Sequence, residues 1–180
     1  MVEKSGMECV FTDGSYKCGY GGIAAIAPSW LLRLDGFYRR CRSLQVEAQS
    51  GLQGYAAFYG ACRCTSSNDT EKKALSVAFL LAADMLRSRP DLVKRVAIVT
   101  DSMVAMQWVM SDGSLGDHLI AAMHHLWADD PWIARRITLT KVKGHRFHVG
   151  NEFADRWANI ARCRNGVAGW SADGSSFYRF

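Results

Sequence analysis

"VAIVTDS" (residues 96–102) is a short apolar run that stops at Thr-Asp, and "FTDGS" (residues 11–15), far earlier in the chain, closes another apolar run in the same way. A continuous apolar run of this length marks a strand covered on both faces. Ligands of open α/β sheets bind beyond the carboxyl ends of the strands. If the two strands are parallel neighbours, Asp13 and Asp101 therefore stand side by side in such a place. Taken singly, each aspartate is an ordinary turn residue, because Asp-Gly and Asp-Ser pairs are common in turns.

The surrounding sequence supplies the rest of a sheet. Residues 8–13 predict a first strand, stopped by Gly14 and Ser15. "GYGGIAAIAP" (19–28) predicts its hairpin partner, and "GYAAFYGACRC" (54–64) a third strand. "TSSND" (65–69) offers several N-caps for a helix from about Thr70 to Arg87. Further helices are expected from Ser102 to Met110, over 116–128 and over 151–162, with a last strand in "RITLTKVKG" (136–144). This order predicts an α/β domain: a five-stranded mixed sheet, antiparallel in its first three strands and then parallel, flanked by helices. We place the domain at 1–163, with an insertion in the first hairpin at about 29–53 and a tail at 164–180.

Glu71 shares a helical face with Ala74, Leu75, Ala78, Ala82 and Met85, so it projects from the first turn toward the sheet. A carboxylate there loses hydration and needs a partner, either a metal ion or a Lys or Arg from elsewhere. Several carboxylates at one point repel one another unless a cation sits among them. Oxygen ligands without a His or Cys cluster suit magnesium or manganese rather than zinc.

The 180 residues are 49% hydrophobic and 22% charged, enough for one domain with a buried core. No apolar stretch is long enough to span a membrane, and the opening residues lack the apolar middle of a secretory signal. An intracellular protein with reduced thiols is the expectation. Cys62-x-Cys64 has no second cluster to make a zinc site. The net charge of +5 suits a polyanionic partner without specifying one.

"KGHRFHVGNEFADRWANIA" (143–161) resembles the C-terminal signature of type 1 ribonuclease H, G-H-x4-G-N-E-x-A-D-x-x-A, in the version found in retroelements. "TDGS", "TSSNDTE" and "TDS" then fall in that family's order. The resemblance implies that Asp13, Glu71, Asp101 and Asp155 hold two magnesium ions, with manganese as a substitute. It also implies that His145 assists proton transfer and product release, and that Asn151 and Glu152 hold the start of the last helix beside the site. Gly14, Ser15, Ser67 and Asn68 match residues that meet the substrate, an RNA–DNA hybrid whose RNA strand is cut to 3′-hydroxyl and 5′-phosphate ends. A monomer is expected, with a reverse transcriptase as partner should the chain come from a retroelement polyprotein. Another nuclease of the same fold, or a silent hybrid-binding module, are the competing readings.

The chain departs from that pattern in places. Met103 stands where some relatives carry a hybrid-contacting Gln, the link after "TDGS" is short, and no basic protrusion lies between the second and third helices. No extra hybrid-binding domain is expected before Met7. The insertion instead carries Arg33, Arg39, Arg40 and Arg42 near Trp30, Phe37 and Tyr38. Arginines among aromatics can grip a nucleic-acid backbone; the plainer reading is a solvated hairpin edge. His124 and His125 point about 100° apart on a helix and cannot readily share an ion. Trp108, Trp127, Trp132 and Trp157 read as core, with Trp132, near Arg135 and Arg136, also able to lie at the surface.

Overall fold

A computed structural model of the chain describes residues 6–34, 44–110 (backbone alone at 109 and 110), 130–143 and 148–164. Its strands are β1 (Met7–Lys17), β2 (Tyr20–Pro28), β3 (Gln45–Glu47), β4 (Tyr55–Arg63), β5 (Arg95–Thr100) and β6 (Ile137–Lys141). Its helices are α1 (Ser67–Ser88), α2 (Met103–Met110), the single turn α3 (Pro131–Ala134) and α4 (Val149–Arg164), with a 3-10 turn at Ser29–Arg33. The expected helix over 116–128, the His124–His125 pair, Trp127, Arg39, Arg40, Arg42, His145 and the tail beyond Arg164 lie outside the described residues, while Arg164 itself ends α4.

One sheet runs in the order β3-β4-β2-β1-β5-β6. β2 pairs antiparallel with β1 and β4, while β5 pairs parallel with β1 and β6. The mixed topology is the expected one, with six strands instead of five. The addition is β3, three half-buried residues of the presumed insertion, paired antiparallel with β4. Three residues are too few for alternation to declare a strand.

A second correction concerns β1, which does not stop at Gly14 and Ser15 but continues to Lys17. Its parallel pairing with β5 does end early, at Phe11↔Val99, but β2 keeps pairing beside it through Asp13↔Ala24 and Ser15↔Gly22. Continued ladder hydrogen bonds override the turn preference of Asp-Gly-Ser. The turn comes instead at Cys18 and Gly19, both at positive φ (50° and 83°), as a two-residue hairpin loop of the right twist requires.

Helices cover both faces of the central strands. Val10, Ile23 and Ala25 pack with Leu75, Ala78, Leu81 and Met85 of α1, while Phe11, Ala24, Ile26 and Val99 pack with Ala154, Ala158 and Ala161 of α4. Alternate residues of β1 thus face opposite helices, the period of two that an extended strand imposes. Gly22 lets α4 lie directly on β2: a Cβ there would come 2.0 Å from the Ala158 carbonyl oxygen. Trp157 completes that face, donating from Nε1 to the Ser50 carbonyl at 2.9 Å with its ring 4.8 Å from Tyr59. Trp132, by contrast, is exposed at 41%, with the Arg136 guanidinium 5.1 Å from its ring centre. No described helix is long and apolar enough to cross a membrane.

Candidate metal centre

The parallel register that ends at Phe11↔Val99 sets the site. Two residues beyond that last pair come Asp13, still within β1, and Asp101, the first residue past the end of β5. Asp13 keeps the parity of Phe11 and so belongs to the α4 side of the sheet. The parallel register thus brings the two carboxylates together at the point where β1 and β5 part.

The third carboxylate comes from α1. Ser66 caps that helix, accepting from the Asp69 amide at 3.1 Å, and Asp69 Oδ2 in turn accepts from the Thr65 amide at 2.9 Å. This reciprocal cap starts α1 at Ser67, earlier than the expected Thr70, and puts Glu71 in the second turn, not the first. Gly14 lets that end of the helix touch β1. A Cβ on Gly14 would sit 2.9 Å from the Glu71 amide nitrogen and from the Thr70 carbonyl carbon. Only a residue without a side chain allows so close an approach.

The oxygens of Asp13, Glu71 and Asp101 consequently lie within 4.8 Å of one another. Asp13 is 4% exposed, and Glu71 and Asp101 are half-buried. Burial, then the charge of Asp101, push the Asp13 carboxyl from its ordinary 3.8 up to about 7, although the Gly14 amide donates to its Oδ1 at 2.8 Å. Burial, then the charge of Asp13, push Glu71 up to about 9. Without a cation the two raised carboxyls hold protons into the neutral range, with Glu71 hydrogen-bonded to Asp13. An all-oxygen donor set under that strain fits a hard divalent cation such as magnesium or manganese.

The other expected site residues divide. Asp155, half-buried on α4, is close enough for its charge to raise Asp13. It stands outside the group of three, with Oδ1 accepting from Asn159 Nδ2 at 2.9 Å. Ser67 and Asn68 are exposed in the first turn of α1, ahead of Glu71. Ser15 is turned inward, its hydroxyl engaged by Asn159 and Arg162 at 2.8 Å each. Asn151 and Glu152 start α4 through their backbone amides, which donate to the His148 carbonyl at 3.0 and 3.1 Å. The Asn151 side chain is buried, with Oδ1 unpartnered among the described residues, whereas Glu152 is exposed. Met103, 46% exposed, follows Asp101 at the start of α2. Asn159 and Arg162 are not among the expected site residues; their spacing of four and seven from Asp155, on one helix face, is the available signal.

No protein-family model matches the chain, and no curated protein shows significant sequence similarity to it. Among solved structures it is similar to LC11-RNase H1, isolated from compost by a metagenomic approach, with a TM-score of 0.55 at 14% identity. That match covers 88% of this chain and 97% of the other. It is likewise similar to the N-terminal RNase H domain of a Mycobacterium tuberculosis protein, with a TM-score of 0.53 at 17% identity, covering 87% and 94%. At such identities the likeness is one of architecture, and the chain adopts the ribonuclease H fold.

Proposed function

We propose that this protein is an endonuclease that hydrolyses the RNA strand of RNA–DNA hybrids in a magnesium-dependent reaction, leaving 3′-hydroxyl and 5′-phosphate ends. The observation that carries the reading is the convergence of Asp13, Glu71 and Asp101 within 4.8 Å, in a chain of this fold. Asp155, approaching Asp13 from α4, is the fourth carboxylate of the set. When bound, a pair of divalent cations supplies Lewis-acid activation of water and neutralises charge building on the phosphate and the leaving oxygen.

The chain's own residues do the rest. Asp13 and Asp101 are fixed by the strands and Glu71 by the capped helix, so the donors need no rearrangement to receive the cations. The exposed Ser67 and Asn68, one turn ahead of Glu71 on α1, meet the minor groove of the hybrid. RNA is told from DNA there by its 2′-hydroxyls and by groove shape, not by base sequence. His145, by its place in the C-terminal signature, moves protons and helps release product. The Gly150-Asn151-Glu152 version of that signature favours a retroelement-type domain, working beside a reverse transcriptase.

The test is cleavage of an end-labelled hybrid in magnesium, beside single-stranded RNA, duplex RNA and duplex DNA, with Asp101→Asn as control. Cutting confined to the RNA of the hybrid, and abolished in the control, is the expected result. Cutting of duplex or branched DNA instead identifies a different nuclease on the same fold. Binding of the hybrid without cutting identifies a silent binding module.

A further inference from the structure

We propose that Asn159 is a positioning residue, holding the Asp155 carboxylate in the orientation from which it completes the cation site. The inference rests on the reading of Asp155 as part of that site.

Phe11, Asp13 and Ser15 share one face of β1, and α4 runs across it. Ser15 thus lies under the second half of the helix, one strand repeat beyond Asp13. Its hydroxyl donates to Asn159 Oδ1 at 2.8 Å and accepts from Arg162 Nε at 2.8 Å. A second guanidinium nitrogen of Arg162 donates to the same Asn159 oxygen at 3.1 Å. Asn159 Nδ2 donates to the Asp155 carboxylate at 2.9 Å and to the Asp155 carbonyl at 3.0 Å.

Proton accounting fixes the direction of this chain. An asparagine amide has one accepting and one donating end. Arg162 can only donate, and with the Ser15 hydroxyl accepting from Arg162 its one proton is free to go to Asn159. The oxygen of Asn159 must therefore face Ser15 and Arg162. Its NH2 group is left for Asp155, whose carboxylate can only accept. Turning the amide over would set donors against donors and an acceptor against an acceptor, so the orientation is uniquely satisfied.

The consequence falls on Asp155. One oxygen, Oδ1, is held by Asn159; Oδ2 has no hydrogen-bond partner among the described residues and is the one left for a ligand. The positive end of the chain, Arg162, sits behind Asn159 and polarises its amide toward the carboxylate. Groups that orient a ligating side chain in this way typically contribute 10- to 100-fold in metal affinity.

Calorimetric titration of the nucleic-acid-free protein with manganese, together with kcat and KM for hybrid cleavage, separates this role from a structural one. Asn159→Leu keeps the bulk and removes both halves of the relay. We expect its manganese affinity to fall by roughly tenfold or more and kcat to fall with it. KM for the hybrid and the metal-free melting temperature should stay close to those of the unsubstituted protein. Arg162→Met, which cuts the relay one link further out, should move the same quantities in the same direction by less, and carries the test should Asn159→Leu fail to fold. Manganese affinity and kcat that stay within about twofold in the variants overturn the proposal. An unsubstituted protein that binds no manganese and cuts no hybrid overturns the cation-site reading beneath it, a result distinct from the first.

Discussion

Removing the charge of Asp13 should stabilise the metal-free protein at alkaline pH and leave it unchanged in acid. The folded carboxyl is pushed from 3.8 to about 7 by burial and by Asp101. The folded state therefore keeps its proton over a range in which the unfolded chain has lost it. Stability from this group is full below pH 3.8 and is lost as pH rises through about 7. A shift of roughly three units at about 1.4 kcal/mol each puts the ceiling near 4 kcal/mol. Glu71 shares the strain and relaxes when its neighbour is neutralised, so we expect on the order of half of that ceiling, about 2 kcal/mol, at pH 8. Asp13→Asn keeps an oxygen for the Gly14 amide, so no hydrogen bond need be lost. The assay is urea unfolding of both proteins in chelator at pH 4 and pH 8. Magnesium should then reverse the order at pH 8, because a ligand at about 100 times its Kd adds about 2.7 kcal/mol to the protein that binds it. A difference between the two proteins that is the same at both pH values would refute the argument that burial and mutual repulsion strain this cluster.

Two further outcomes follow from how α1 reaches the site. Gly14→Ala forces a methyl group to 2.9 Å from the backbone of α1; it should cost about 1–3 kcal/mol in unfolding experiments and weaken metal binding in step, as Glu71 is displaced. Ser66→Ala removes the cap that sets where α1 begins and should cost about 1 kcal/mol, with hydrogen exchange of the first-turn amides accelerating ahead of the rest of the helix.

The parts of the site that were legible in the sequence are those that simple periodicities control. The apolar runs before Asp13 and Asp101 give parallel neighbours, and the 3.6-residue period turns Glu71 inward. Asp155 lies at the flank of its helix's apolar face, where periodicity assigns solvent; only the resemblance of "GNEFAD" to a known signature singled it out. β1 outruns its expected end because local turn chemistry at Asp-Gly-Ser is weaker than the ladder β2 offers it. β3 is illegible in the sequence because its three residues acquire meaning only from β4. Asn159 and Arg162 escaped notice because their significance lies in Ser15, which is remote in sequence. Helical spacing shows that they share a face with Asp155, but not what that face meets.

The packing of α4 across β1 and β2 also governs when the candidate site comes into being. Every described strand precedes α4 in the chain, so during synthesis the face formed by Phe11, Ala24, Ile26 and Val99 stays bare until α4 leaves the ribosome. A nascent chain with that sheet face uncovered invites chaperones and mispairing. It also lacks Asp155 and the Asn159 relay. Covering the apolar face and bringing Asp155 up to Asp13 are one event, so a ribosome-bound chain that has not yet finished its last helix holds Asp13, Glu71 and Asp101 without it.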